Sequence, residues 1–185
     1  SGLPLKGSGR GNRTSSVKPA GGNGTSSSPY QIDSLDDLNL IEENQGAYYQ
    51  LTSDIQTQGR INFTISYFGG TLDGNGHTIY GLKKPLIAMN QGKIRNLRVA
   101  ADFDDDMQNV QGVITQYNEG NIEDCMVTGT ISGYMGGNGV VVYPEFGGIA
   151  GENALAGIIF GCTSKLNVNL TMAPMKSWVG GIAGL

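Results

Sequence analysis

The single histidine, His77, closes the run Asp73-Gly-Asn-Gly-His77. An imidazole near a carboxylate can serve as a general base, but nucleophilic catalysis also needs a positioned nucleophile and an oxyanion site. Asp73 and Asn75 are turn formers whose side chains satisfy nearby backbone amides. The run therefore predicts a tight corner, with His77 packed or hydrogen-bonded at its end. A zinc protease centre would need a second histidine and a His-Glu-x-x-His helix, and the chain has neither.

Asp102, Asp104, Asp105 and Asp106 form the densest acidic cluster. Hard carboxylate oxygens suit Ca²⁺, the one metal for which this chain offers a candidate site, although the glycine and distal glutamate of a calcium loop are missing. Asp54 or Glu119 would have to complete it through the fold. The other reading is an exposed acidic loop. Glu152 lacks the paired carboxylate that glycoside hydrolysis requires. Instead, Glu152-Asn153 recurs in form at Asn118-Glu119 and Asn90-Gln91. Recurring asparagines suit turn caps and side-chain ladders better than catalysis.

Cys125 and Cys162 occupy the same slot in two related segments, so they should face each other on neighbouring strands, about 4.8 Å apart. Stacked thiols packing as small hydrophobes and a disulfide are both compatible with that spacing. Four aromatic residues, Tyr134, Tyr143, Phe146 and Trp178, lie in or near irregular segments. Such rings can stack on sugars or anchor a protein partner, or fold back to cover the core. Lys83, Lys84, Lys93, Arg95 and Arg98 fall on outward strand positions and read as solvated charge.

The elements that must position these residues are repeats. Gly-Gly-Ile-Ala-Gly stands at 147–151 and again at 180–184, with a looser copy at Gln111-Gly-Val-Ile-Thr115. After the first two come Asn118-Glu-Gly-Asn-Ile-Glu-Asp-Cys125 and Glu152-Asn-Ala-Leu-Ala-Gly-Ile-Ile-Phe-Gly-Cys162. A period of roughly 30–36 residues indicates stacked supersecondary units. Short β-rich runs alternate with Gly, Asn and Asp corners. This pattern predicts an all-β, parallel β-helix, with Ile122 stacked on Ile158 and Ile149 on Ile182. A β-sandwich also uses short strands, but its sequence need not repeat.

One helix is predicted, with Ser34 as N-cap, Leu35, Leu38, Leu40 and Ile41 as its apolar stripe, and Gly46 as its end. It would cap the first coil, covering an otherwise open strand edge. Residues 1–28 read as a flexible Gly/Ser-rich linker, leaving 29–185 as the repeat domain. Lys6, Arg10, Arg13 and Lys18 give that linker a charge of +4, while the remainder carries eight basic against sixteen acidic residues. An acidic body lacks the clustered cations that nucleic acid requires. No apolar run approaches a membrane span, and no signal peptide opens the sequence. The Ser-Gly start and the stop inside a repeat suggest a piece of a longer protein.

Gly-Gly-Ile-Ala-Gly-Glu-Asn153 with Gly157-Ile158…Cys162, and the second Gly-Gly-Ile-Ala-Gly184, resemble the Glug-motif modules of bacterial surface proteins. Upstream, Tyr49-Gln-Leu-Thr-Ser-Asp-Ile55, Gly70-Thr-Leu-Asp-Gly-Asn-Gly-His-Thr-Ile79 and Ile94-Arg-Asn-Leu97 resemble the block preceding such repeats. Gly81-Leu-Lys-Lys-Pro-Leu86 is similar to a run in the N-terminal regions of streptococcal immunoglobulin A1 zinc metalloproteases. The resemblance implies an extracellular, secreted or cell-surface right-handed β-helix, and it does not imply a catalytic activity, because the module accompanies varied neighbours. It departs from the motif at 111–115 and in the insertion 133–146.

These observations lead to the expectation of a non-catalytic structural or adhesin-like repeat module, a stiff spacer with a lateral binding face. Its expected partners are a host or wall glycan, a surface protein, or further copies of itself. An accessory domain of a secreted metalloprotease is the first alternative. A carbohydrate-active β-helix enzyme is the second.

Overall fold

The computed structural model describes residues 19–58, 64–104, 110–136, 144–172 and 177–184. After β1 (Tyr30–Ile32) comes α1 (Leu35–Asn39), continued by a 3-10 turn over Leu40–Glu43. Ser34 is extended, and its hydroxyl accepts the Asp37 amide at 3.2 Å, as an N-cap does. The helix is shorter than its apolar stripe suggested, because the chain tightens at Leu40. Leu38 and Ile41 are nonetheless fully buried.

The rest is strand, laid down in successive passes. The first holds β2 (Tyr48–Leu51), β3 (Ile55–Gln56) and β4 (Ile65–Phe68); the second holds β5 (Thr71–Asp73), β6 (Thr78–Leu82) and β7 (Ile87–Asn90). The third holds β8 (Lys93–Arg95), β9 (Arg98–Phe103), β10 (Gln111–Gly112) and β11 (Thr115–Asn118). The fourth holds β12 (Asn121–Glu123), β13 (Met126–Met135), β14 (Glu145–Gly147) and β15 (Ala150–Asn153). The last holds β16 (Ile158–Phe160), β17 (Thr163–Met172) and β18 (Trp178–Gly180).

Equivalent strands of each pass pair side by side. One sheet runs β1-β2-β5-β8-β12-β16, a second β3-β6-β9-β13-β17, a third β4-β7-β11-β15 and a fourth β10-β14-β18. The pairings between named strands are parallel. The chain is thus an all-β fold of parallel strands in stacked sheets.

Inward residues stack in columns, because a side chain at a given point of one pass meets its equivalent in the next. Tyr49, Leu72, Ile94, Ile122 and Ile159 form one column, and Ile79, Val99 and Val127 belong to another. Each fully buried aliphatic contributes roughly 1.5–3 kcal/mol. The register corrects one expectation. Ile122 pairs with Ile159, whereas Ile158 pairs with Asn121 and stays 53% exposed. A one-residue step along a strand turns a side chain to the opposite face. Ile149 does lie beside Ile182, its amide donating a hydrogen bond to the Ile182 carbonyl at 2.8 Å.

Glycines at one corner are set by close approach. A Cβ on Gly92 would fall 2.3 Å from the Gly70 carbonyl oxygen, and one on Gly120 would fall 2.2 Å from that of Gly92. Within the expected linker, Gly21 bridges to Gln31, and the Tyr48 amide donates to the Gly24 carbonyl at 3.0 Å. Residues 140–143, a β-rich run by residue type, lie outside the described residues.

Candidate functional site

At the corner after β5, the Asp73 carboxylate accepts the Asn75 amide at 2.8 Å, and Asn75 takes the left-handed conformation at φ 50°. His77 Nδ1 lies 3.4 Å from Asp54, which also accepts the Thr78 amide at 2.8 Å. The histidine is a corner group held by a carboxylate already engaged with backbone. Asn96, Asp124 and Gly161, with φ of 50°, 51° and 64°, repeat a left-handed corner in three successive passes. Beside that corner runs an open groove of about 410 Å³ lined by Asn75, Asn96, Arg98, Asp124, Cys125 and Gly161.

Cys125 and Cys162 follow directly on this corner and are both free thiols. The residues on either side of them pair in register, Glu123 with Phe160 and Met126 with Thr163. The Cys125 amide donates to Cys162 Sγ at 3.4 Å, while Cys125 Sγ points to the Glu123 and Ile94 carbonyls at 3.2 and 3.9 Å. Cys125 is 1% exposed and Cys162 is half-buried. The Cys125 side chain, with its amide, holds the Cys162 thiol down to about 7, against burial and the Asp124 charge. The same contact, together with burial, pushes Cys125 well up.

The recurring asparagines form a ladder. Asn90 Nδ2 donates to Asn118 Oδ1 at 2.7 Å, and Asn118 Nδ2 donates to Asn153 Oδ1 at 2.7 Å and to the Gly120 carbonyl at 3.1 Å. Asn90 and Asn118 are fully buried, which is where a satisfied polar network is most consequential. Glu119 accepts from Gln91 at 2.6 Å on the exposed side of the same corner. Among the described residues these groups brace the corner.

Lys83 Nζ lies 2.7 Å from Asp102 and 3.0 Å from Asp104, so a lysine ammonium sits where a bound cation had been considered. Those two carboxylates raise the Lys83 pKa above its usual value. Asp105 and Asp106 lie outside the described residues. Among the described residues, no group of three or more His, Cys, Asp or Glu side chains is placed to hold a metal ion. Lys93 pairs with Glu123 at 2.8 Å and Arg95 with Asp73 at 3.0 Å, linking neighbouring passes through cross-strand charge.

Of the four aromatics singled out in the sequence, Tyr134, Phe146 and Trp178 lie among the described residues, on β13, β14 and β18. Phe146 is 1% exposed, pairs with Val179 in register, and belongs to the core. It lies in the middle of β14, between half-buried Glu145 and buried Gly147. Tyr134 is 40% exposed on β13, with its ring against the Gly136 backbone. Trp178 is half-buried on β18, and Tyr143 lies outside the described residues. The structure adds a pair that the sequence reading missed. Tyr67 and Tyr117 are exposed on β4 and β11 and flank Met89, with which both are in register. Their separation of two strand spacings is about 9.6 Å. The Tyr67 hydroxyl donates to Gln91 at 3.0 Å. Burial, then the Glu152 and Glu145 charges, raises the Tyr117 pKa. The signal for this pair was the equivalent position of two tyrosines ahead of Phe68 and Asn118, visible once β7 fixes the register between them.

No family model matches the chain, so the Glug resemblance rests on the residues quoted above. The chain is 29% identical over 164 residues to halomucin of Haloquadratum walsbyi (strain DSM 16790 / HBSQ001). That match takes in 74% of this chain and 2% of the relative's length. Its fold is similar to that of a protein from Bacteroides ovatus assigned provisionally as an immunoglobulin A1 protease. The TM-score is 0.57 at 20% identity, covering 89% of this chain and 73% of the other. Among the described residues no helix is long and apolar enough to cross a membrane.

Proposed function

We propose that this chain is a right-handed parallel β-helix, closed at its N-terminal end by α1, that serves as a rigid, non-catalytic module of a secreted or cell-surface protein. The observation that carries this reading is the in-register stacking of equivalent strands, reinforced by a buried asparagine ladder. Such a stack gives stiffness and flat lateral faces, and its polar groups are engaged in bracing corners. The right hand follows from the handedness of parallel crossovers. Burial of Leu38 in α1 and of Ile41 in the 3-10 turn that follows supports the cap. The likeness to a halomucin segment supports placement outside the cell.

The lateral face offered to a partner is the Tyr67–Met89–Tyr117 strip, with Tyr134 on the neighbouring sheet. Tyrosine rings spaced across neighbouring strands, along the stack, suit an extended glycan, which stacks sugar faces on aromatic rings. A glycan array with the intact chain tests this arm. Retention of neutral glycans, reduced at least tenfold in the Tyr67→Ala, Tyr117→Ala double variant, is expected, with no new reducing ends released. A blank array would sink recognition through sugar, and released ends would favour the enzymatic alternative.

A second reading is an accessory domain that helps a secreted protease engage substrate or surface. It is favoured by the fold likeness to the Bacteroides ovatus protein. Binding of the chain to immunoglobulin A1 in the absence of any cleavage would support it.

A further inference from the structure

We propose that Cys125 and Cys162 are a hydroperoxide-oxidised thiol pair, closing to an intrachain disulfide that fastens the last coil to the one before it. The two residues hold equivalent points of consecutive coils, as their flanking pairs Glu123–Phe160 and Met126–Thr163 require. Equivalent Cα atoms in adjacent parallel strands lie about 4.8 Å apart, inside the span a disulfide bridges. Cys162 Sγ already rests 3.4 Å from the Cys125 amide nitrogen. Cys125 Sγ is turned toward the Glu123 carbonyl, so one rotation about its Cα–Cβ bond brings the two sulfurs face to face.

The two thiols differ in a way that orders the chemistry. Cys162 is half-buried and Cys125 is enclosed, so a small oxidant in solvent meets Cys162 first. The contact with Cys125 that brings the Cys162 thiol to about 7 supplies the thiolate form at neutral pH. Its sulfur attacks the terminal oxygen of the hydroperoxide. The O–O bond breaks, leaving a sulfenic acid on Cys162, and the departing hydroxide, or alkoxide from an organic hydroperoxide, takes a proton from solvent and leaves as water or an alcohol. Cys125 sulfur then attacks Cys162 sulfur; the S–S bond forms, the S–O bond breaks, and the oxygen departs with the Cys125 proton as water. Two electrons pass from the thiols to the peroxide.

The bond would secure the weakest coil. β16 pairs with β12 and β17 with β13, and neither has a strand on its other side among the described residues. The closed loop, from Cys125 to Cys162, restricts the unfolded chain and raises the melting temperature by about 5–10 °C.

The test treats the reduced full chain with one equivalent of hydrogen peroxide, followed by intact mass and free-thiol titration. Glutamyl endopeptidase, cutting after Glu145 or Glu152, separates the two cysteines unless they are bonded. The expected result is loss of two hydrogens and both thiols, a Cys125–Cys162 linked peptide pair, and a melting temperature that returns to its starting value on reduction. In Cys125→Ser the sulfenic acid should persist and be trapped at Cys162 by dimedone; in Cys162→Ser, Cys125 should stay reduced. Over-oxidation of Cys162 with Cys125 untouched in the parent chain, cross-linking only between chains, or no reaction of either thiol would each overturn the proposal. The parent-chain result stands even where a serine variant fails to fold.

Discussion

Asn118 bonds in both directions along the stack, accepting from Asn90 and donating to Asn153 and to the Gly120 carbonyl. Replacing it with alanine strands a buried donor on Asn90 and an acceptor on Asn153. Unsatisfied buried groups each cost about 1–3 kcal/mol, so Asn118→Ala should lower stability by about 2–4 kcal/mol. Urea denaturation measures this, and Gln91→Ala on the exposed rim is the control, expected within about 0.5 kcal/mol of the parent. Cys162 gives a second residue-scale expectation. Iodoacetamide should modify it at a rate that climbs as pH rises through about 7, where its thiolate forms, while folded Cys125 stays unmodified. Mass-spectrometric counting of the label from pH 5 to 9 checks it. Much at this scale was legible from sequence: the turn roles of Asp73 and Asn75, the asparagine recurrence and the cysteine stacking all follow from residue type plus repeat. Phe146 was not, because an aromatic beside an insertion reads alike whether it faces in or out.

At the scale of elements, the decisive quantity is register. The corner 154–157 is two residues longer than the corner 119–120, so partners lie 35 residues apart at Asn118–Asn153 and 37 apart at Ile122–Ile159. The sequence places two adjacent isoleucines there, Ile158 and Ile159, and the repeat of Gly-Asn-Ile against Gly-Ile matches the first to Ile122. The cysteine spacing of 37 already pointed to the second. Ile122→Ala should therefore cost about 2–5 kcal/mol, half-buried Ile159→Ala less, and exposed Ile158→Ala only about 0.5 kcal/mol or less. A larger loss at Ile158 than at Ile159 would reverse the register. Gly120→Ala carries its own expectation. A methyl group 2.2 Å from the Gly92 carbonyl forces the two coils apart, and a loss of about 2 kcal/mol or more in chemical denaturation should follow. The early passes escaped the repeat search because they are shorter and lack Gly-Gly-Ile-Ala-Gly. Their strands were found from alternation alone, and only pairing reveals them as members of the same stack.

Across the whole molecule, protection should be uneven. Central strands such as β8 and β9 are held on both sides, whereas β16 and β17 have one strand neighbour each among the described residues and expose Ile158, Phe160 and Val168. Amide hydrogen exchange should proceed fastest in the last coil and slowest around β8 to β13, since local opening follows the number of contacts that must break. Equal protection of β17 and β9 would contradict that gradient. The coils also differ in chain length: partners lie 23 residues apart from Tyr49 to Leu72, 22 from Leu72 to Ile94, 28 from Ile94 to Ile122 and 37 from Ile122 to Ile159. Arrays of identical repeats can misassemble by exchanging one unit for the next. Here the later coils differ in contour length, so a strand that skipped a level would find its corners in the wrong place. Rungs of unequal contour fit in only one sequence, and that inequality protects the chain from folding out of order.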